Sequence, residues 1–146
     1  MQLKESYLEL TVLLKYFESL SLLLARVALA YGFYNPSLLK WSNFESTSAW
    51  FGSLGIPFAT LASFLVASIE ILAVLLLLFG LFTRLIAIPL MVIMLVAILI
   101  VHIGHGFSVA NNGFEIPLYY FLFLALFASF GAGKFSLDHL MFGKEK

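Results

Sequence analysis

The sequence has 146 residues, 62% hydrophobic and 11% charged, with eight acidic against eight basic side chains and no cysteine. A soluble domain is about half apolar and about a quarter charged, so this balance, with a mean hydropathy of +1.05, describes an integral membrane protein. Zero net charge argues against nucleic acid as a partner, and the missing thiols exclude disulfide exchange, thiol relays and thiolate metal sites within the chain.

At the start, Leu3, Tyr7, Leu10, Leu14 and Phe17 recur at helical spacing, with Lys4, Glu5, Glu9 and Glu18 between them. Residues 1–18 are therefore expected to form an amphipathic helix on the membrane surface. Residues 19–146 read as one transmembrane domain with four apolar runs near the ~20 residues a crossing needs. These are Leu20 to Leu39, Phe58 to Phe82, Leu85 to Ile103 and Ile116 to Phe130. The first lacks a small-residue cleavage site and is expected to be retained. Pro89 predicts a kink in the third. The expected fold is all-α: a polytopic four-transmembrane-helix bundle with an N-terminal amphipathic helix.

The loops set the expected topology. Lys4 and Lys15 precede the first run, Arg84 separates the second and third, and Lys134, Lys144 and Lys146 follow the fourth. The other two loops offer only Lys40, so the positive-inside rule puts both termini in the cytoplasm. The 35–57 and 104–113 loops then face outward, with Tyr31, Phe33, Tyr34, Trp41, Phe44, Trp50 and Phe51 near that surface. Phe44, Phe51 and Leu54 are near helical spacing and suggest a short cap over the bundle.

Two charged residues fall inside the apolar runs. Glu70 sits in "FLVASIEILAVLLLLFG", where an acid costs about 2.5–3.5 kcal/mol and each large apolar residue returns about 0.3–0.6, so the segment still inserts. Ala59, Ser63 and Ala67 share its helix face, and small residues mark close helix approach. Glu70 is thus expected to point inward. Arg26 lies in the inner half of the first run, and counting rises of about 1.5 Å per residue brings it near the depth of Glu70. A buried Arg26–Glu70 pair is the expectation, either as a site or as a register between helices.

A second polar group gathers in "VHIGHGFSVANNGFEIP". His102 is a candidate for proton handling. Glu115 suits the first turn of a helix, as does Pro117. His102 and His105 with Glu115 are metal-ligand types, but Gly104 and Gly106 disturb the spacing, and no metal site is expected. Phosphate-cradling glycine loops, haem-attachment motifs and nucleophile elbows are absent from the sequence.

Taken in order, "LLLARVALAYGFY", "SLGIP", Glu70 before "LLLLFGLFTR", His102, "NNGFEIPL" and "GAGKFSLDHL" resemble the DoxX family of small four-helix membrane proteins. Its relatives include the DoxD subunit of thiosulfate:quinone oxidoreductase. The resemblance covers roughly Leu22 to Leu140. It implies a prokaryotic cytoplasmic (inner) membrane location, a quinone-linked redox role, and site candidates at Arg26, Lys40, Glu70, His102, Asn112, Gly113 and Glu115. The chain departs at Asn35–Pro36, where many relatives carry His–Gly, which removes an imidazole from the outer end of the first helix.

The leading functional reading is a quinone-interacting or redox-associated membrane subunit, as in a quinone-linked oxidoreductase. Arg26, Glu70 and His102 would carry its chemistry, with Lys40, Trp41, Asn112 and Glu115 around the substrate. A quinone needs an apolar slot and a few polar groups for its carbonyl oxygens and protons. The only cofactor implied is a quinone, held non-covalently. Electrons would come from a soluble or membrane redox partner, and a further copy of the chain or membrane lipid are other expected partners. The alternative is a non-enzymatic assembly or scaffold protein that recruits a redox partner. A small proton-coupled transporter using Glu70 ranks third, because a neighbouring arginine opposes a cationic substrate.

Overall fold

The computed structural model describes residues 2–143, so Lys144 and Lys146, used above for topology, lie outside the described residues. Among the described residues the regular elements are all helical. A first helix, α1 (Gln2–Lys15), is followed at once by α2 (Glu18–Ser42), then α3 (Phe44–Ser53) and α4 (Ala59–Phe79). Next, α5 (Thr83–Val96) runs on through a π-helical turn (Ala97–His102) into a 3-10 turn (Ile103–His105). A second 3-10 turn (Val109–Asn111) leads to α6 (Glu115–Phe130) and the short α7 (Leu137–Phe142).

Three of these helical stretches are long and apolar enough to cross a membrane: Glu18–Ser42, Ala59–Phe79 and Thr83–His105. The expected fourth crossing, α6, has 16 residues, which at 1.5 Å each gives about 24 Å against a hydrocarbon core of about 30 Å. Packing is pairwise. Helix α2 runs along α4, α5 along α6, and α4 touches α5, while α3 lies against α4. The core is built from Leu29, Ala30 and Phe33 of α2, Ala73 and Leu77 of α4, Leu90 and Met94 of α5, and Leu124 and Phe127 of α6. Outward faces are just as greasy: Leu24, Leu65, Leu72, Leu75, Ile88, Val92 and Leu126 are all exposed. Helices apolar on every side need an apolar solvent, and the molecule is a membrane protein on that ground.

The ends of the helices explain the rest. Helix α4 stops in a Schellman motif: Gly80 takes φ +65°, its N–H donates to Leu77 O at 3.3 Å, and the Leu81 N–H donates to Leu76 O at 2.9 Å. The expected end of the first run at Leu39 is exceeded, because α2 continues through Pro36 to Ser42. Proline removes one intrahelical bond, here to the Gly32 carbonyl, and membrane helices tolerate such a loss. Lys40 and Trp41 therefore stand on a helix and not in a loop. The segment after them is largely helical too, and Phe51 of α3 is buried as the cap pattern suggested. Along α1, the apolar residues Leu3, Tyr7, Leu10 and Leu14 are exposed.

Candidate functional site

The small-residue face of α4 is buried: Ser63, Ala67, Glu70, Ala73 and Leu77 all point away from the outer surface. Glu70 accordingly lies inside, with its side chain 3% exposed. Its partner is Lys40, whose Nζ donates to Glu70 Oε2 at 2.7 Å while remaining 21% exposed. The expected Arg26–Glu70 pair is therefore corrected. Helices α2 and α4 run antiparallel, and a helical side chain leans toward the N-terminus of its own helix. Arg26 and Glu70 thus lean away from each other, whereas Lys40 and Glu70 lean together. A long lysine stem closes the remaining distance.

Trp41, the residue after Lys40, belongs to an aromatic group that joins α2, α3 and α4. The Trp41 ring meets Phe64 edge-on at 5.6 Å and stacks with Phe44 at 6.4 Å. Ser37, one turn before Trp41, is buried and donates to Tyr34 O at 2.8 Å. The result is a partly exposed ammonium with an enclosed carboxylate behind it, while the Trp41 and Phe64 rings lie on the exposed surface.

Arg26 is wholly buried at the opposite end of α2. Its Nη1 donates to Leu77 O at 2.9 Å, and its Nη2 donates to Phe135 O. Leu77 and the neighbouring Gly80 lie seven and ten residues past Glu70, about 10–15 Å along α4. Across the α4–α5 turn, the Phe82 N–H donates to Asp138 Oδ1 at 2.6 Å and the Thr83 N–H to Asp138 Oδ2 at 2.9 Å. Asp138 is itself held by a 2.9 Å bond from its N–H to Gly80 O, and its charge acts through space on Arg26. A cation thus sits at the C-terminal end of α4 and an anion at the N-terminal end of α5, the two placements that helix dipoles favour. The arrangement is a structural knot: both carboxylate oxygens of Asp138 and both terminal nitrogens of Arg26 are engaged with backbone, while Arg26 Nε and Thr83 Oγ1 are buried without a hydrogen-bond partner.

The remaining candidates form a separate cluster. The His102 Nδ1–H donates to the backbone carbonyl of Asn112 at 2.7 Å, which fixes the tautomer. Glu115 Oε2 accepts from the Val109 N–H at 2.9 Å, and its Oε1 accepts from the Tyr119 hydroxyl at 3.4 Å. Gly113 packs so close to the loop that an added Cβ would stand 2.3 Å from Gly106 O. Asn112 brings its backbone, at φ +61°, into this arrangement. These residues hold the end of the α5 extension to the start of α6.

Of the residues singled out from sequence, Lys40 and Glu70 come together, His102, Asn112 and Glu115 come together, and Arg26 stands apart from both groups. Asp138 was missed. After the helix-capping Ser136, whose Oγ accepts from the His139 N–H at 3.2 Å, it reads as an ordinary first-turn acid. Only the "GAGKFSLDHL" context hinted at more.

Comparison with known proteins adds a family. The family model described as DoxX matches residues 21–103. That stretch contains Arg26, Lys40, Trp41, Glu70 and His102 and stops before Asn112, Glu115 and Asp138. A protein from Haemophilus influenzae described as uncharacterized is 33% identical over 129 residues, covering 83% of each chain. A second, likewise described and from the same organism, is 36% identical over 124 residues, covering 82% of this chain and 89% of its own. No solved structure matches.

Proposed function

Because this chain belongs to the DoxX family, we propose that it is a quinone-interacting membrane subunit whose working groups are Lys40 and Glu70. The observation that supports this reading most is the 2.7 Å ion pair, buried on the carboxylate side and partly open on the ammonium side. Intramembrane ionisable residues are functional candidates by default. Lys40 would donate a hydrogen bond to a quinone carbonyl oxygen, and Glu70 behind it would take up or release the accompanying proton. Trp41 and Phe64 supply flat faces for a ring. Electrons are assigned to a soluble or membrane redox partner. His102, Asn112 and Glu115 serve this reading by shaping the neighbouring loop and not by touching substrate.

In the same reading the protein lies in a prokaryotic inner membrane as a four-helix bundle. Helix α6 makes the fourth crossing, α1 rests on the surface, and both termini face the cytoplasm. Local thinning of the bilayer accommodates the short α6.

The test is direct. A quinone analogue should bind the purified protein, and Glu70→Gln and Lys40→Met should each weaken that binding at least tenfold. The double variant Lys40→Met/Glu70→Leu should fold yet fail to bind. Binding that survives in the double variant would remove the pair from the site.

A second reading, a non-enzymatic scaffold that recruits a redox partner, draws on the Arg26–Asp138 knot, which makes one end of the molecule rigid. Under it, the double variant should keep partner recovery from native membranes at the wild-type level.

A further inference from the structure

The end of the molecule that holds Arg26 also carries a groove of about 640 Å³ between the α1–α2 junction and the segment joining α6 to α7. Its lining is of two kinds. Leu22 and Phe130 give it apolar walls that continue onto the exposed faces of α2 and α6, while Lys15, Lys134 and His139 give it a basic rim. Two carboxylates also line it. Glu18 opposes the rim, but Asp138 has both oxygens committed to the Phe82 and Thr83 N–H groups. The Lys15 and Lys134 side chains are exposed and form no hydrogen bond or ion pair with a described residue. A backbone bond fixes one side of the groove: the Lys134 N–H donates to Ser19 Oγ at 3.4 Å.

We propose that this groove binds an acidic phospholipid, with the phosphate between Lys15 and Lys134 and the acyl chains along Leu22 and Phe130. Charge complementarity selects the headgroup, since basic pockets beside membrane helices attract anionic lipids. The apolar walls select a lipid over a soluble anion, because a free phosphate would gain nothing from Leu22 or Phe130. The exposed apolar residues of α1 place the groove at headgroup depth, where such helices settle. Its carrier is the chain's own interfacial helix, so the lipid would also tether α1 to the body of the protein.

Native mass spectrometry of the full-length protein in neutral detergent tests this, with phosphatidylglycerol and phosphatidylcholine of matched acyl chains as probes. Phosphatidylglycerol should bind more tightly, with the preference shrinking as salt rises. Lys15→Gln/Lys134→Gln should lose roughly fivefold in phosphatidylglycerol affinity per lysine and keep the wild-type affinity for phosphatidylcholine. Lys4→Gln, elsewhere on α1, should change neither. Both groove lysines are exposed, and an unchanged melting temperature in phosphatidylcholine shows that the double variant folds. Equal affinity for the two lipids, an unaltered preference in the double variant, or displacement of phosphatidylglycerol by equimolar inorganic phosphate would each overturn the proposal.

Discussion

Lys40 and Glu70 meet at 2.7 Å because their side chains lean toward each other from antiparallel helices. The two groups differ in what they lose when separated. Glu70 is enclosed, whereas Lys40 reaches the surface and can turn outward when its partner goes. Lys40→Met should therefore destabilise the protein more than Glu70→Leu, by an amount of order 3 kcal/mol, and Lys40→Met/Glu70→Leu should recover most of that loss. Thermal unfolding in detergent measures all three. Equal losses in the two single variants would contradict the asymmetry.

Asp138→Asn should cost about 1–3 kcal/mol, since it weakens two bonds to the first N–H groups of α5 and removes the charge near Arg26. Limited proteolysis should then cut within 131–143 before any other region opens.

At Gly80, an added Cβ would stand 2.2 Å from Arg26 Nη1 and 2.6 Å from Ser136 Cβ, at a φ of +65°. Gly80→Ala should therefore lower stability by several kcal/mol. Gly32→Ala, at an ordinary φ, meets only the Tyr120 side chain, its hydroxyl at 2.0 Å and its Cζ at 2.7 Å. Its melting temperature should fall less than that of Gly80→Ala.

The cysteine-free sequence gives a clean background for topology. Single cysteines at Ser48 and Ser108 should be labelled by a membrane-impermeant thiol reagent from one side, and cysteines at Lys4 and Lys134 from the other. Labelling at Ser108 and Lys134 from the same side would show that α6 does not cross as proposed.

Much of the helix pattern is legible in the sequence because periodicity and hydropathy are local properties. The inward face of α4 is one example: Ser63, Ala67 and Glu70 repeat at helical spacing, and all three are buried. The partner of Glu70 was not legible. Depth counted along the chain treats side chains as points, whereas their tilt separates Arg26 from Glu70 and joins Lys40 to it. The last turn of α2 was not legible either, since the apolar run ends at Leu39 while the helix continues over Lys40, Trp41 and Ser42. The role of Asp138 could not be read because its partners, Phe82 and Thr83, lie more than fifty residues away and contribute only backbone, which carries no residue signature.

The bond from Arg26 to Phe135 O joins residues 109 positions apart. During synthesis the guanidinium leaves the ribosome long before Phe135 does, so until then only the Leu77 carbonyl of α4 can accept from it. The segment that carries Phe135 thus acts as a latch, closing over a charge placed 109 positions earlier. A chain truncated before residue 135 would lack the acceptor of Arg26 Nη2 and the Asp138 carboxylate that holds the start of α5.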